Sequence, residues 1–249
     1  MTFEYIELAI IFACLAAGGI IKGATGAGAP LLAVPALAMI FNVKFAVVVM
    51  LMPNLLTNVW QGWHYRDHRL PAAFVWSFAG AGAAGVLVGT VILAYFSQEL
   101  LSMIVAGAVF VYIILRFARP DWKIAYTLAR KLSLPAGLTA GVLQGASGIS
   151  APVSISFLNA MKLERPVFIS TISVFFASMT VLQGAALGYL GIFHVRDAII
   201  SLAAVIPILA FMPAGAALAR RMSKETFDRA VLVLLGILAL KLVYDALMG

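Results

Sequence analysis

The sequence predicts an all-α polytopic membrane protein built from two inverted repeats, each a glycine-rich broken, re-entrant helix pair followed by three transmembrane helices. Three observations predict it: an apolar composition, an internal repeat, and loop cations that fall on one side. Of 249 residues, 63% are hydrophobic and 11% charged, with a mean hydropathy of +1.06. A soluble domain averages about 25% charged residues, so this composition belongs to a chain solvated by a lipid bilayer. Stretches free of Lys, Arg, Asp and Glu cover residues 45–65, 70–98, 100–115, 132–161, 166–195 and 198–219. Most approach or exceed the roughly 20 residues a helix needs to cross the hydrocarbon core.

Sliding the chain by 122 residues lays residues 19–30, GIIKGATGAGAP, over residues 141–152, GVLQGASGISAP. Gly19, Gly23, Ala24, Gly26, Ala29 and Pro30 meet identical residues, and Thr25 meets Ser147. Without a gap the same offset lays Gln61-Gly62 over Gln183-Gly184. Such a repeat sets the architecture before any local detail.

The elements follow in order. The first repeat, residues 1–117, holds a broken helix pair over 5–41 (pieces 5–21 and 30–41) and helices over 45–62, 72–96 and 100–117. A polar cytoplasmic linker covers 118–131. The second repeat, 132–249, holds a broken pair over 132–161 (pieces 132–144 and 152–161) and helices over 167–189, 198–219 and 227–248. If each broken pair contributes an even number of crossings or folds back, Arg66, Arg69, Arg116, Arg119, Lys123, Arg130, Lys131, Lys162, Arg165, Arg220, Arg221, Lys224 and Arg229 share one side. Only Lys44, Arg196 and Lys241 lie opposite. That asymmetry satisfies the positive-inside rule, makes the halves inverted, and puts both termini in the periplasm of a bacterial inner membrane.

Non-helical backbone at membrane depth is tolerated only where protein or a watery cavity covers it. Gly23, Gly26 and Gly28, with Gly145 and Gly148 in the second copy, permit such turns because they lack a Cβ. Pro30 and Pro152 suit the first turn of a following helix, where a missing N–H does no harm. Free N–H groups and the positive helix end attract anions. Inverted repeats bring such broken segments together near the midplane, the usual transporter site. Lys22 adds one cation there, and Gln144 takes its place in the second copy. Thr25, Ser147 and Ser150 supply hydroxyls. Asn54, Asn58 and Gln61 recur at helical spacing, and Thr180 and Gln183 match Asn58 and Gln61. These residues are the candidate lining of a site for a small anion. Trp60 and Trp63 read as interfacial anchors.

Carried by the doubled segment from Lys22 to Pro30 and from Gln144 to Pro152, the whole chain resembles the TauE/SafE family of sulfite and organosulfonate exporters. Ala27, Ala29 and Ser150 stand among glycines that run more continuously in the family motif. The resemblance implies transport, mostly outward, of sulfite, sulfonates, sulfoacetate or related small anions.

Other classes fit less well. The net charge of +7 lies in short loops and forms no nucleic-acid patch. Cys14 is the only cysteine, which excludes an intrachain disulfide or a cysteine metal cluster, and no cofactor or metal motif is present. The start of the chain has no basic n-region of a signal peptide. Gly145-Ala-Ser147-Gly148 spells the G-x-S-G of an intramembrane serine protease, but His64, His68 and His194 fall at loop ends, away from a serine that needs a base. A passive anion channel is the closer rival, since helix ends and a lysine can also line a pore. No Asp or Glu lies deep in a predicted helix, so a carrier would use a proton riding on the substrate or a coupling ion such as proton or sodium. Oligomeric state has no signature in the pattern.

Overall fold

The computed structural model describes residues 5–118 and 122–248, so Arg119 and the side chain of Lys224 lie outside the described residues. Eleven helices follow in order: α1 (Tyr5–Thr25), α2 (Ala29–Ile40), α3 (Val43–His64), α4 (Ala72–Tyr95), α5 (Gln98–Ala118), α6 (Tyr126–Ser147), α7 (Ser154–Ala160), α8 (Arg165–Tyr189), α9 (Val195–Ala203), α10 (Val205–Arg221) and α11 (Lys224–Met248). Seven spans are long and apolar enough to cross a membrane: α1, α3, α4, α5, α8, α9 with α10, and α11 from Thr226. The chain is a multi-pass membrane protein.

The packing pairs one half with the other. α1 lies along α10 as α6 lies along α4, while α3 packs on α8 and α5 on α11. Asn54 meets Thr180 and Gly62 lies beside Ser173, so α3 and α8 run antiparallel. The closest approaches are reciprocal. Gly26 seats against Ile169 and Gly148 against Val47. Gly19 and Gly23 abut the backbone of Ile208 and Met212, as Gly141 and Gly145 abut that of Gly82 and Val86. Small residues allow this backbone contact, which is how helices associate where lipid supplies no hydrophobic drive.

Proline in α3 ties in another element. Pro53 lacks the N–H that Val49 O would accept. Ser201 of α9 donates its hydroxyl to that carbonyl at 2.9 Å and accepts from Met52 N at 2.8 Å, so backbone groups at membrane depth stay satisfied. Short α7 is held by aromatics: Phe157 stands 5.5 Å from Phe78 and 6.3 Å from Phe74, ring centre to ring centre.

Several boundaries differ from the sequence expectation. α1 and α6 run on into the glycine-rich stretches, to Thr25 and Ser147 rather than 21 and 144. Glycines 19, 23, 141 and 145 are helical packing positions rather than turn formers, and the left-handed turns fall at Gly26, Gly28 and Gly148. α6 begins at Tyr126, inside the expected linker. The expected helix 198–219 is divided at Ala204 into α9 and α10. Pro30 lies in the first turn of α2 as expected. Pro152 precedes the regular part of α7, although Ser154 N already donates to Ser150 O at 2.8 Å.

The broken segments touch crosswise, Gly28 beside Ile155 and Gly148 beside Val34, with Pro30 and Gly148 on one small pocket, but the turns themselves stand apart. Gly26 packs near the start of α8 and Gly148 near the start of α3, toward opposite ends of the bundle. Because α1 and α6 are 21 and 22 residues long, each runs about 30 Å at 1.5 Å per residue and carries its turn past the centre.

Candidate functional site

Lys22 sits one turn before the end of α1, its side chain buried at 1% exposure. Among the described residues it is the one Lys, Arg, Asp or Glu so buried, and no ion pair reaches it. Nζ donates to Asn58 Oδ1 at 2.9 Å. Asn58 Nδ2 donates to Asn54 Oδ1 and Asn54 O, both at 2.7 Å. Asn54 Nδ2 donates to Thr180 Oγ1 at 3.0 Å, and Thr180 Oγ1 donates to Phe176 O at 2.7 Å. A single hydrogen-bonded chain thus leads from α1 through α3 to α8. It fixes the side chains but brings no negative charge to Lys22. With no counter-charge among the described residues, this buried lysine is a candidate to receive an anion from outside the chain.

Room for one lies beside it. A cavity of about 500 Å³ opens between α1, α3, α8 and α10, lined by Lys22, Gly23, Gly26, Gln61, Tyr65 and Arg165. Leu56, Ile169 and Met212 give it apolar walls. Gln61 is buried, and its Oε1 has no partner among the described residues. Arg165 stands at the start of α8 with its guanidinium 3.3 Å from Ala24 O and 3.5 Å from Gly23 O, a cation on the exposed carbonyls of a helix C-terminus.

A second, much smaller pocket of about 10 Å³ lies between α3, α6 and α8. It is lined by Pro30, Asn54, Gln144, Gly148, Thr180 and Gln183, with Val47, Met50 and Leu51. Gln183 Nε2 is 3.4 Å from both Gln144 O and Gly145 O.

The sequence-derived residues therefore divide. Lys22, Gly23, Gly26 and Gln61 share the large cavity; Asn54, Gln144, Thr180, Gln183, Gly148 and Pro30 share the small pocket, and Asn58 joins the two. Thr25 and Gly28 face a third cavity of about 400 Å³ that also touches the Arg116–Asp228 ion pair. Thr25 and Ser147 stabilise their turns. Thr25 Oγ1 donates to Ile21 O at 2.8 Å and pairs with Ala27 O; Ser147 Oγ donates to Leu143 O at 2.7 Å and accepts from Ile149 N at 3.2 Å. Ser150 bonds Ser154, Oγ to Oγ, at 3.1 Å. Gly145 packs on α4, and Pro152 lines none of these three spaces. Sequence reasoning took Arg165 only as a loop cation and left out Tyr65 and Met212. The position of Arg165 just before Pro166, at a helix start, was the available signal.

A multi-span helical bundle with a buried lysine beside a cavity is an architecture that a membrane transporter can use. The chain belongs to the family described as sulfite exporter TauE/SafE, whose model matches residues 10–242. No curated protein matches the chain, and no solved structure does.

Proposed function

We propose that the protein is a secondary carrier that exports sulfite, an organosulfonate or sulfoacetate across the bacterial inner membrane, binding it at Lys22 between two inverted repeats. The observation that carries this reading is the buried amine of Lys22, without a carboxylate partner among the described residues, facing a cavity of about 500 Å³. Family membership supports the chemistry of the substrate. Reciprocal glycine contacts and the antiparallel crossing of α3 and α8 support inverted halves. Loop cations such as Arg66, Arg69 and Arg165 gather at the cavity's end, which the positive-inside rule assigns to the cytoplasm. Both termini then belong outside.

A carrier is favoured over a channel because the polar path narrows to about 10 Å³ beyond Asn54, room for about one water. No Asp or Glu is among the buried polar residues described, so the driving ion is sodium or a proton, which sulfite can carry as hydrogen sulfite and a fully ionised sulfonate cannot. Ser147 donates its hydroxyl to its own turn, which supports the carrier reading over the protease one. Proteoliposomes loaded with radiolabelled sulfite test the proposal. Wild type should move sulfite against its gradient when a proton or sodium gradient is imposed, and Lys22→Gln should not. Flux that only ever runs downhill would make the protein a channel, and flux unaffected by Lys22→Gln would move the site elsewhere.

A further inference from the structure

Four lining positions of the large cavity match four of the small pocket under the 122-residue offset. Lys22, Gly26, Gln61 and Ile169 line the first, at about 500 Å³; Gln144, Gly148, Gln183 and Val47 line the second, at about 10 Å³. The correspondence crosses between halves: Ile169 belongs to the second half yet serves the first-half turn, and Val47 does the reverse. The two spaces lie toward opposite ends, since Gly26 meets the start of α8 and Gly148 the start of α3. The chain Lys22–Asn58–Asn54–Thr180 joins them, at 2.9, 2.7 and 3.0 Å. One is open and the other holds about one water, too little for a four-atom oxyanion.

We infer that the Gln144–Gln183 pocket is a second station for the same anion, shut in this state, and that the protein works by exchanging which of the two is open. The inference rests on the carrier reading above. Two packings of equivalent surfaces around a pseudo-twofold axis have similar energies, so a ligand with modest differential affinity shifts the balance between them. In the second packing α3 withdraws Val47, Met50 and Leu51 from Gly148, and α10 closes over Gly23 and Lys22. The second station offers amides where the first has an ammonium. It is therefore the weaker of the two for an anion, suited to release.

The test uses the full-length protein with Cys14→Ala, carrying Leu209→Cys in the large cavity or Met50→Cys in the small pocket, in right-side-out and inverted membrane vesicles. An impermeant methanethiosulfonate reagent reports which face reaches each thiol. Val47→Cys is the second pocket probe should Met50→Cys fold poorly. Methanesulfonate serves as the anion, because sulfite would consume the reagent. The cavity thiol of the Leu209→Cys variant is expected to react only from the face bearing Arg66 and Arg165, and the pocket thiol only from the opposite face. Saturating methanesulfonate should change the two rates in opposite directions, and their ratio by roughly threefold or more if it favours one packing by at least about 0.7 kcal/mol. Pocket thiols that react from the same face as the cavity thiol, or from neither, would overturn the second station. Sidedness decides this inference; an anion that leaves both rates unchanged and does not bind counts against the Lys22 site on which it rests.

Discussion

Lys22 is where the chemistry of a single side chain has the largest consequence. Its ammonium is held by Asn58 and has no counter-charge among the described residues, so an incoming anion completes it. Losing one close charge partner in a partly desolvated cavity costs an anion roughly 2 to 4 kcal/mol. Lys22→Gln should therefore weaken sulfite binding by at least about tenfold in isothermal titration, since 1.4 kcal/mol is one decade. Lys22→Arg should retain part of the affinity, because the charge survives while the geometry changes. Equal affinities in wild type and Lys22→Gln would remove Lys22 from the site. Glycines of the turns make a second case. Gly26 and Gly148 have φ of 83° and 73°, a region costly for β-branched residues, and each lacks space beside Ile169 or Val34 and Val47. Gly26→Val and Gly148→Val should each impair sulfite flux in proteoliposomes, with some loss of thermal stability as well. Normal flux in both would make the turns dispensable. Lys22, Gln61 and the glycines stand out in the sequence because charge, amides and turn formers are rare in apolar helices, and Lys22, Gly23, Gly26 and Gln61 do share one cavity. For Thr25 and Ser147 the sequence leaves two uses open, since a hydroxyl in such a stretch closes its own turn as readily as it faces a ligand.

At the scale of elements, the long apolar helices were readable from hydropathy, while the ends of α1 and α6 were not. A glycine signals both a helix stop and a helix contact, and only the neighbouring backbone decides. On α6 a Cβ at Gly141 would run into the carbonyl of Gly82 on α4, and the two backbones cannot part without opening the main contact between α4 and α6. Gly141→Val should cost about 1 to 3 kcal/mol or more by overpacking, read as a lower unfolding temperature and a smaller monodisperse fraction in detergent. Gly107 on α5 has nothing within 4 Å of the same position. Gly107→Ala should leave stability within about 0.5 kcal/mol or improve it slightly. Similar stabilities for the two variants would mean that the α4–α6 contact yields easily. The division of α9 from α10 at Ala204 had a local signal that the sequence reading passed over: Pro207 lacks the N–H that Ala203 O would accept, and Ser201 is drawn to the carbonyl left open by Pro53 on another helix.

For the whole molecule, the repeat was visible as a 122-residue offset, but its spatial meaning needed the pairing of α1 with α10 and α6 with α4. Orientation in the bilayer follows from charge. His68 stands in the turn after α3 between Arg66 and Arg69, at the end where Arg165 caps α1. Ser97 stands between α4 and α5, at the end where Lys44 donates to Ala94 O at 2.8 Å and Val43 N donates to Gln98 Oε1 at 3.2 Å. Thirteen loop cations lie with His68 and three with Ser97 in the expected topology, and such a bias retains the first set in the cytoplasm. Both positions are exposed, so a cysteine at either should fold as the parent does. In a Cys14→Ala background, Ser97→Cys should react with an impermeant maleimide added to intact cells, and His68→Cys only after the inner membrane is permeabilised. The opposite result would turn the cavity at Lys22 toward the periplasm and reverse the access from which export was argued. Labelling of both from outside would mean that α4, the one helix between the two loops, does not cross the bilayer, since a crossing helix must bring its two ends out on different faces.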